Sequence, residues 1–155
     1  MLEVVVDTNV IMDALFPPYD SECQLLLDRE ADGLYSFVMS DAMFAELRDV
    51  GERLEKAHHV KPWKIARNKN RLMAMAFHTR RLNPQKEVYY SPDPSDNEFI
   101  AVAIEAPVQY LVTSNKKHFQ NIPVAVLNSV GERITFVTPK AFNSITREIL
   151  RVSRM

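Results

Sequence analysis

The stretch Leu2-Glu3-Val4-Val5-Val6-Asp7-Thr8-Asn9 sets the reading of the whole chain. Three consecutive β-branched residues show no alternation of apolar and polar positions. They fit a strand covered on both faces, as in a parallel sheet. Asp7 then falls at the carboxyl end of that strand, the edge at which open α/β sheets bind ligands. Val10-Ile11-Met12 reads as a helix start, so Asp7 is either the cap of that helix or a functional group.

Working outward, this first helix runs through Leu15-Phe16 and is broken by Pro17-Pro18. A second begins at Asp20 or Ser21, turns Cys23, Leu26, Leu27 and Ala31 inward, and ends at Gly33. Leu34 to Met39 reads as the second strand. Ser40 then caps a helix from Asp41 to about Lys56, whose buried face is Met43, Leu47, Val50 and Leu54. Glu46 lies roughly 60° from the centre of that face, at about 100° per residue. A carboxylate at the margin of a buried face needs a partner, with Arg48 and Arg53 as the local options.

Pro62 opens a third long helix, expected to reach about Leu82 before Asn83-Pro84. Trp63, Ala66, Asn70, Met73 and Phe77 form one stripe on it, expected to be core or a dimer contact. Beyond the extended loop around Pro92 and Pro94, Ser95 and Glu98 are placed to form a capping box. The helix they open runs to Ala106 and is apolar nearly all round, so it should be deeply packed, with Asp96 in its first turn. Tyr110 to Thr113 reads as another buried strand, bringing Thr113, Ser114 and Asn115 to the same sheet edge as Asp7. Val124 to Leu127 and Ile134 to Val137 read as short strands around a turn at Gly131. Thr138-Pro139 opens a last helix through Phe142, Ile145, Ile149 and Leu150.

The chain has 155 residues, 46% apolar and 25% charged, which predicts a single domain over residues 1–155 with a substantial core. A single cysteine, Cys23, excludes an intrachain disulfide and a cysteine-based zinc cluster, and favours a reducing, cytoplasmic setting. No stretch reaches the roughly 18 apolar residues of a membrane span. No basic region precedes the apolar start, so a secretory signal is not expected.

The net charge of −1 hides a segregation. Nine basic residues and no acid lie between Lys56 and Lys86, so the remainder carries all 20 acids against 10 basic residues. Lys64, Arg67 and Arg71 share a stripe suited to phosphates or to an acidic partner. Acids gathered near one loop beside a buried helix are also how oxygen ligands for a hard cation are collected.

Taken in order, the strand ending Asp7-Thr8-Asn9, the helical Glu46, the loop Asp93-Pro-Ser-Asp96-Asn-Glu-Phe and the strand Leu-Val-Thr-Ser-Asn115-Lys-Lys-His-Phe resemble the PIN-domain family. The similarity looks closest to its VapC-type toxin branch and spans nearly the whole chain. It implies a three-layer α/β/α sandwich around a mainly parallel sheet. It also implies a Mg²⁺- or Mn²⁺-dependent ribonuclease, dimeric and held inactive by an antitoxin. Asp7, Glu46 and Asp96 match the family's acidic cluster and stand as catalytic residues and metal ligands. The fourth acidic position falls on Asn115, which stands with them as a catalytic residue that would donate to a phosphate or hold a metal water; this departure bears on a second metal more than on the first. Thr8, Asn9, Thr113, Ser114 and Lys116 would assist with substrate, with Lys64, Arg67 and Arg71 on the basic helix.

The chemistry leads the same way. Phosphodiester cleavage needs an activated water and a counter-charge, and a carboxylate-bound metal supplies both. The first rival is a non-catalytic RNA-binding module on the same fold, motivated by Asn115. A phosphoacceptor receiver would place adjacent acids after the first strand, and a small-molecule phosphatase would carry Asp where Asn9 stands.

Overall fold

The computed structural model describes residues 1–114 and 125–153. It is a three-layer α/β/α sandwich around a five-stranded sheet in which every pairing is parallel. The strands are β1 (Glu3–Val6), β2 (Ser36–Met39), β3 (Arg80–Arg81), β4 (Tyr110–Val112) and β5 (Thr135–Val137), in the order β3-β2-β1-β4-β5. The described helices are α1 (Thr8–Leu15), α2 (Ser21–Ala31), α3 (Asp41–Ala57), α4 (Pro62–His78), α5 (Pro94–Glu105) and α6 (Pro139–Ser153).

The Val run forms the central strand, with Val4, Val5 and Val6 all buried. Having no solvent face, it has no need of alternation. From β1 the chain steps outward to β2 and β3, then crosses back to add β4 and β5 on the other side. The gap between β1 and β4 is therefore the topological switch point, where doubly wound sheets open a crevice at their carboxyl ends.

Local chemistry sets the helix starts. Asp20 caps α2, Ser40 caps α3 and the Thr138 hydroxyl accepts from Ala141 N at the start of α6, all where the sequence places them. α5 is the most deeply seated, with Phe99, Ile100, Ala101, Val102 and Ala103 all buried, and it lies across β1, β2 and β4. Its cap differs from the expected capping box: Asp93 accepts from Ser95 N at 2.9 Å, Pro94 takes the first helical position, and Glu98 is released from any capping role.

Two further differences are informative. The third long helix stops at His78, and Arg80–Arg81 forms a short edge strand parallel to β2. Their guanidinium groups are held across elements: Arg80 by the Glu3 carboxylate (3.0 and 3.1 Å) and the Ala106 carbonyl, and Arg81 by Asp41. Strand pairing and these ion pairs outweigh continuation of the helix. The stripe Trp63, Ala66, Asn70, Met73 and Phe77 is not core; it faces solvent, with Trp63 58%, Met73 70% and Phe77 88% exposed. The inward face of α4 is instead Asn68 and Met75, flanked by half-buried Ile65 and Leu72. Asn68 is tolerated there because its amide donates to the Leu15 carbonyl at the end of α1, 3.3 Å away.

Smaller differences are local. Val50 and Leu54 on α3 are half-buried where burial was expected. Of the strand expected at Val124 to Leu127, Val124 lies outside the described residues, and Leu127 makes an isolated antiparallel bridge to Arg133 around Gly131, whose φ is +82°.

Phe99→Ala should lower unfolding free energy by about 3–5 kcal/mol, the cost of emptying a buried aromatic site. Met73→Ala, in the exposed stripe, should change it by less than about 0.5 kcal/mol. Urea denaturation of both variants checks the assignment of inward and outward faces.

Candidate acidic site at the sheet's carboxyl edge

β1 and β4 pair with Val6 opposite Val112, so the next residues, Asp7 and Thr113, emerge side by side at the switch point. Both are buried. The Asp7 backbone N–H donates to the Val112 carbonyl at 2.8 Å, which locks the end of β1 to β4. Its carboxylate is shared: Oδ1 accepts from Asn9 N at 2.9 Å, and Oδ2 accepts the Thr113 hydroxyl at 3.0 Å. Asp7 is thus both the α1 cap and a fixed anion at the sheet edge.

Asp96 enters from the first turn of α5, 3% exposed, with its Oδ2 accepting the Ser91 hydroxyl at 3.1 Å. Ser91 is positioned by Asn97, whose Oδ1 accepts from Ser91 N at 2.8 Å and whose Nδ2 donates to Ser91 O at 2.7 Å. The loop before α5 is therefore pinned by side chain–backbone bonds, and Asp96 with it.

Glu46 completes the group from α3. Its pKa is raised above the ordinary glutamate value, first by burial and then by the charges of Asp7, Asp93 and Asp96; the Thr8 side chain opposes this. Thr8 Oγ1 is buried and meets no partner at strict hydrogen-bond geometry, yet it faces Glu46 closely enough to favour the charged carboxylate. Neither local arginine takes Glu46: Arg48 pairs with Asp49 at 3.3 Å, and Arg53 makes no ion pair among the described residues.

Three aspartates thus act on Glu46 here. Asp93, which caps α5, joins the three expected acids although the sequence reading left it out of the site. Its signal was present in the loop Asp93-Pro-Ser-Asp96. Among the described residues no three His, Cys, Asp or Glu side chains already converge on one point as a closed metal cage would. The donor set nevertheless consists of hard oxygens, with an unsatisfied buried hydroxyl and mutually repelling carboxylates. That chemistry fits a small divalent cation that keeps several waters and takes only one or two protein carboxylates directly.

The remaining expected residues are dispersed. The Asn9 side chain is exposed. Ser114 is exposed and turns toward α1 and α2, with Oγ 4.0 Å from Cys23 Sγ. There it favours the charged form of Asp13, whose pKa is raised by burial and by Asp20; burial also pushes the Cys23 thiol up to about 12. Lys64 and Arg67 both lie 5.5 Å from the Trp63 ring centre, and Arg71 pairs with Asp28 at 2.5 Å. With Arg80 and Arg81 also paired, three of the nine residues in the basic block meet acids from elsewhere in the chain. Asn115 and Lys116 lie outside the described residues.

Comparison with known proteins adds a family match. The PIN domain family model matches residues 3–117. No curated protein matches the chain. Among solved structures, the chain is similar to one in the crystal structure of VapBC2 from Rickettsia felis bound to a DNA fragment from their promoter. The two share 18% identity with a TM-score of 0.51, over 79% of this chain and 94% of that one, a likeness of fold.

Because the folded-state pKa of Glu46 is raised, its ionisation opposes folding above that pKa. The protein is relatively more stable below the unfolded glutamate value, and loses that advantage as pH rises through the folded one. Without divalent ions, Glu46→Gln should therefore melt higher than the wild type near pH 8, with the gap closing toward pH 4. Adding Mg²⁺ at pH 8 should raise the wild-type melting temperature more than that of the variant. Paired thermal melts with EDTA and with Mg²⁺ check both signs.

Proposed function

The chain belongs to the PIN-domain family, and on that premise we propose that it is a metal-dependent endoribonuclease, the toxin of a toxin–antitoxin pair. The observation that carries this reading is the electrostatic influence of Asp7 and Asp96 on Glu46, three acids from separate elements, with Asp7 at the switch point of the sheet. The likeness to VapBC2 supports the toxin–antitoxin part.

In this reading Asp7, Asp96 and Glu46 would hold a Mg²⁺ or Mn²⁺ ion. The ion supplies an activated water at neutral pH and a counter-charge for the phosphate. Thr113 and Ser91 orient the two aspartates, as outer hydrogen bonds orient metal ligands generally. The raised pKa of Glu46 suits it to accept a proton from the attacking water. Asn115, Lys116, Thr8 and Asn9 are assigned to the RNA backbone near the cut. Lys64 and Arg67 provide a further phosphate contact on α4, and Arg71 can join them only by leaving Asp28.

No helix among the described residues is long and apolar enough to cross a membrane. The single cysteine suits a reducing compartment, and on that ground we place the protein in the cytoplasm. The exposed Trp63, Met73 and Phe77 supply an apolar patch of the kind that marks a protein interface. We assign it to the antitoxin or to the second copy of a homodimer.

The test is cleavage of a mixed RNA pool by purified, antitoxin-free protein with Mg²⁺ or Mn²⁺, and again with EDTA. Asp7→Asn is the better inactivating change, because an asparagine Oδ1 keeps the α1 cap. Cutting should vanish in EDTA and fall by about two orders of magnitude or more in Asp7→Asn, reflecting lost metal charge stabilisation of several kcal/mol. Asn115→Asp should raise the rate at limiting metal. RNA bound tightly but never cut, with either ion, would leave only the non-catalytic binding module.

A further inference from the structure

A cavity of about 540 Å³ opens beside the acidic site. It shares two elements with that site. Ala42 lines it one helical turn before Glu46, on the same face of α3. Ser91 also lines it while its hydroxyl is bonded to Asp96. Val88, Tyr89 and prolines 84, 92 and 94 supply apolar wall, and the Tyr89 ring is 82% exposed at the mouth.

The polar groups of this cavity are one-sided. The Asn83 amide is engaged with Asp41, donating at 2.9 Å and accepting from its backbone N–H at 2.8 Å. The Asn97 amide is used up on Ser91. Glu87 already accepts the Tyr89 hydroxyl at 2.6 Å. Glu98 is different: it is half-buried, lines the cavity, and makes no side-chain hydrogen bond or ion pair to any described residue. A cavity of mixed lining that combines an exposed aromatic ring with a carboxylate unpartnered among the described residues suits a flat ligand with two adjacent donors. Lys86 at the same cavity offers a cation to a phosphate.

We propose that this cavity holds an unpaired guanine base of the RNA next to the phosphate being cut, with Glu98 reading its Watson–Crick edge. Guanine alone among the four bases presents a ring N–H beside an exocyclic amino group, which two carboxylate oxygens accept together. Uracil offers one N–H between two carbonyl oxygens, which a carboxylate repels. Adenine and cytosine present an amino group beside a ring acceptor. Tyr89 is the stacking surface, a role that aromatic side chains fill for single-stranded bases. Glu98 is thus a specificity-determining residue, and its assignment rests on the ribonuclease reading of the neighbouring acids.

The test separates base binding from cutting. Guanosine 5′-monophosphate and uridine 5′-monophosphate are titrated into the full chain, with backbone amide shifts read by NMR for the wild type, Glu98→Ala and Glu98→Gln. Melting temperatures confirm that each variant is folded. Guanosine monophosphate should shift residues 83–98 and bind about tenfold tighter than the uridine nucleotide, and both variants should lose that margin. In parallel, cut sites in a random single-stranded RNA pool should be enriched in guanine beside the break for the wild type and not for Glu98→Ala. Equal affinity for the two nucleotides, or a preference that survives in Glu98→Ala, overturns the proposal. Guanine-selective binding without cleavage upholds this site and sinks the ribonuclease reading. Cleavage without guanine bias does the reverse.

Discussion

The parallel pairing of β1 with β4 is the constraint on which the rest depends. Setting Val6 against Val112 forces Asp7 and Thr113 to leave the sheet together, at the place where the chain reverses its direction of strand addition. The Asp7 N–H bond to Val112 and the Thr113 bond to the Asp7 carboxylate then make one rigid corner from two strands and a helix start. An anion held this way has little freedom to move away from the other carboxylates, so their repulsion is built into the fold.

The same corner explains why one residue carries two roles. Capping α1 and presenting a carboxylate to the crevice use different oxygens of Asp7, so neither excludes the other. Asp93 and Asp96 divide those roles on α5: Asp93 caps, and Asp96 points to Ser91 and the cluster. Asp7, Asp93 and Asp96 reach the edge from the end of a strand or the start of a helix, whereas Glu46 comes from the second turn of α3.

Much of this was legible because it rests on local chemistry. The featureless Val run, the caps Asp20, Ser40 and Thr138, and the apolar run from Phe99 to Ile104 each follow from neighbouring residues, and the structure bears those out. The outward stripe of α4 was not legible for a physical reason. Periodicity tells which residues share a face, but not which face is covered. On α4 the covered face carries Asn68, satisfied by a carbonyl 53 residues earlier, while Trp63, Met73 and Phe77 look outward. The basic block misled similarly: the acids that neutralise Arg71, Arg80 and Arg81 come from α2, β1 and α3, far away in sequence. Glu98 fitted a capping box by spacing, but Asp93 and Pro94 claimed the helix start two residues earlier.

The two-residue strand Arg80–Arg81 has a consequence for how other chains can approach. It closes one side of the sheet with an edge only two residues long, and both of its side chains are charged and tied to neighbouring elements. Such an edge offers too few free backbone groups to template an incoming strand, and its arginines would have to surrender their partners. Sheet extension and the aggregation that follows from it are blocked along that flank. Association there is confined to side-chain contact with the helices, which is reversible and can be tuned one residue at a time.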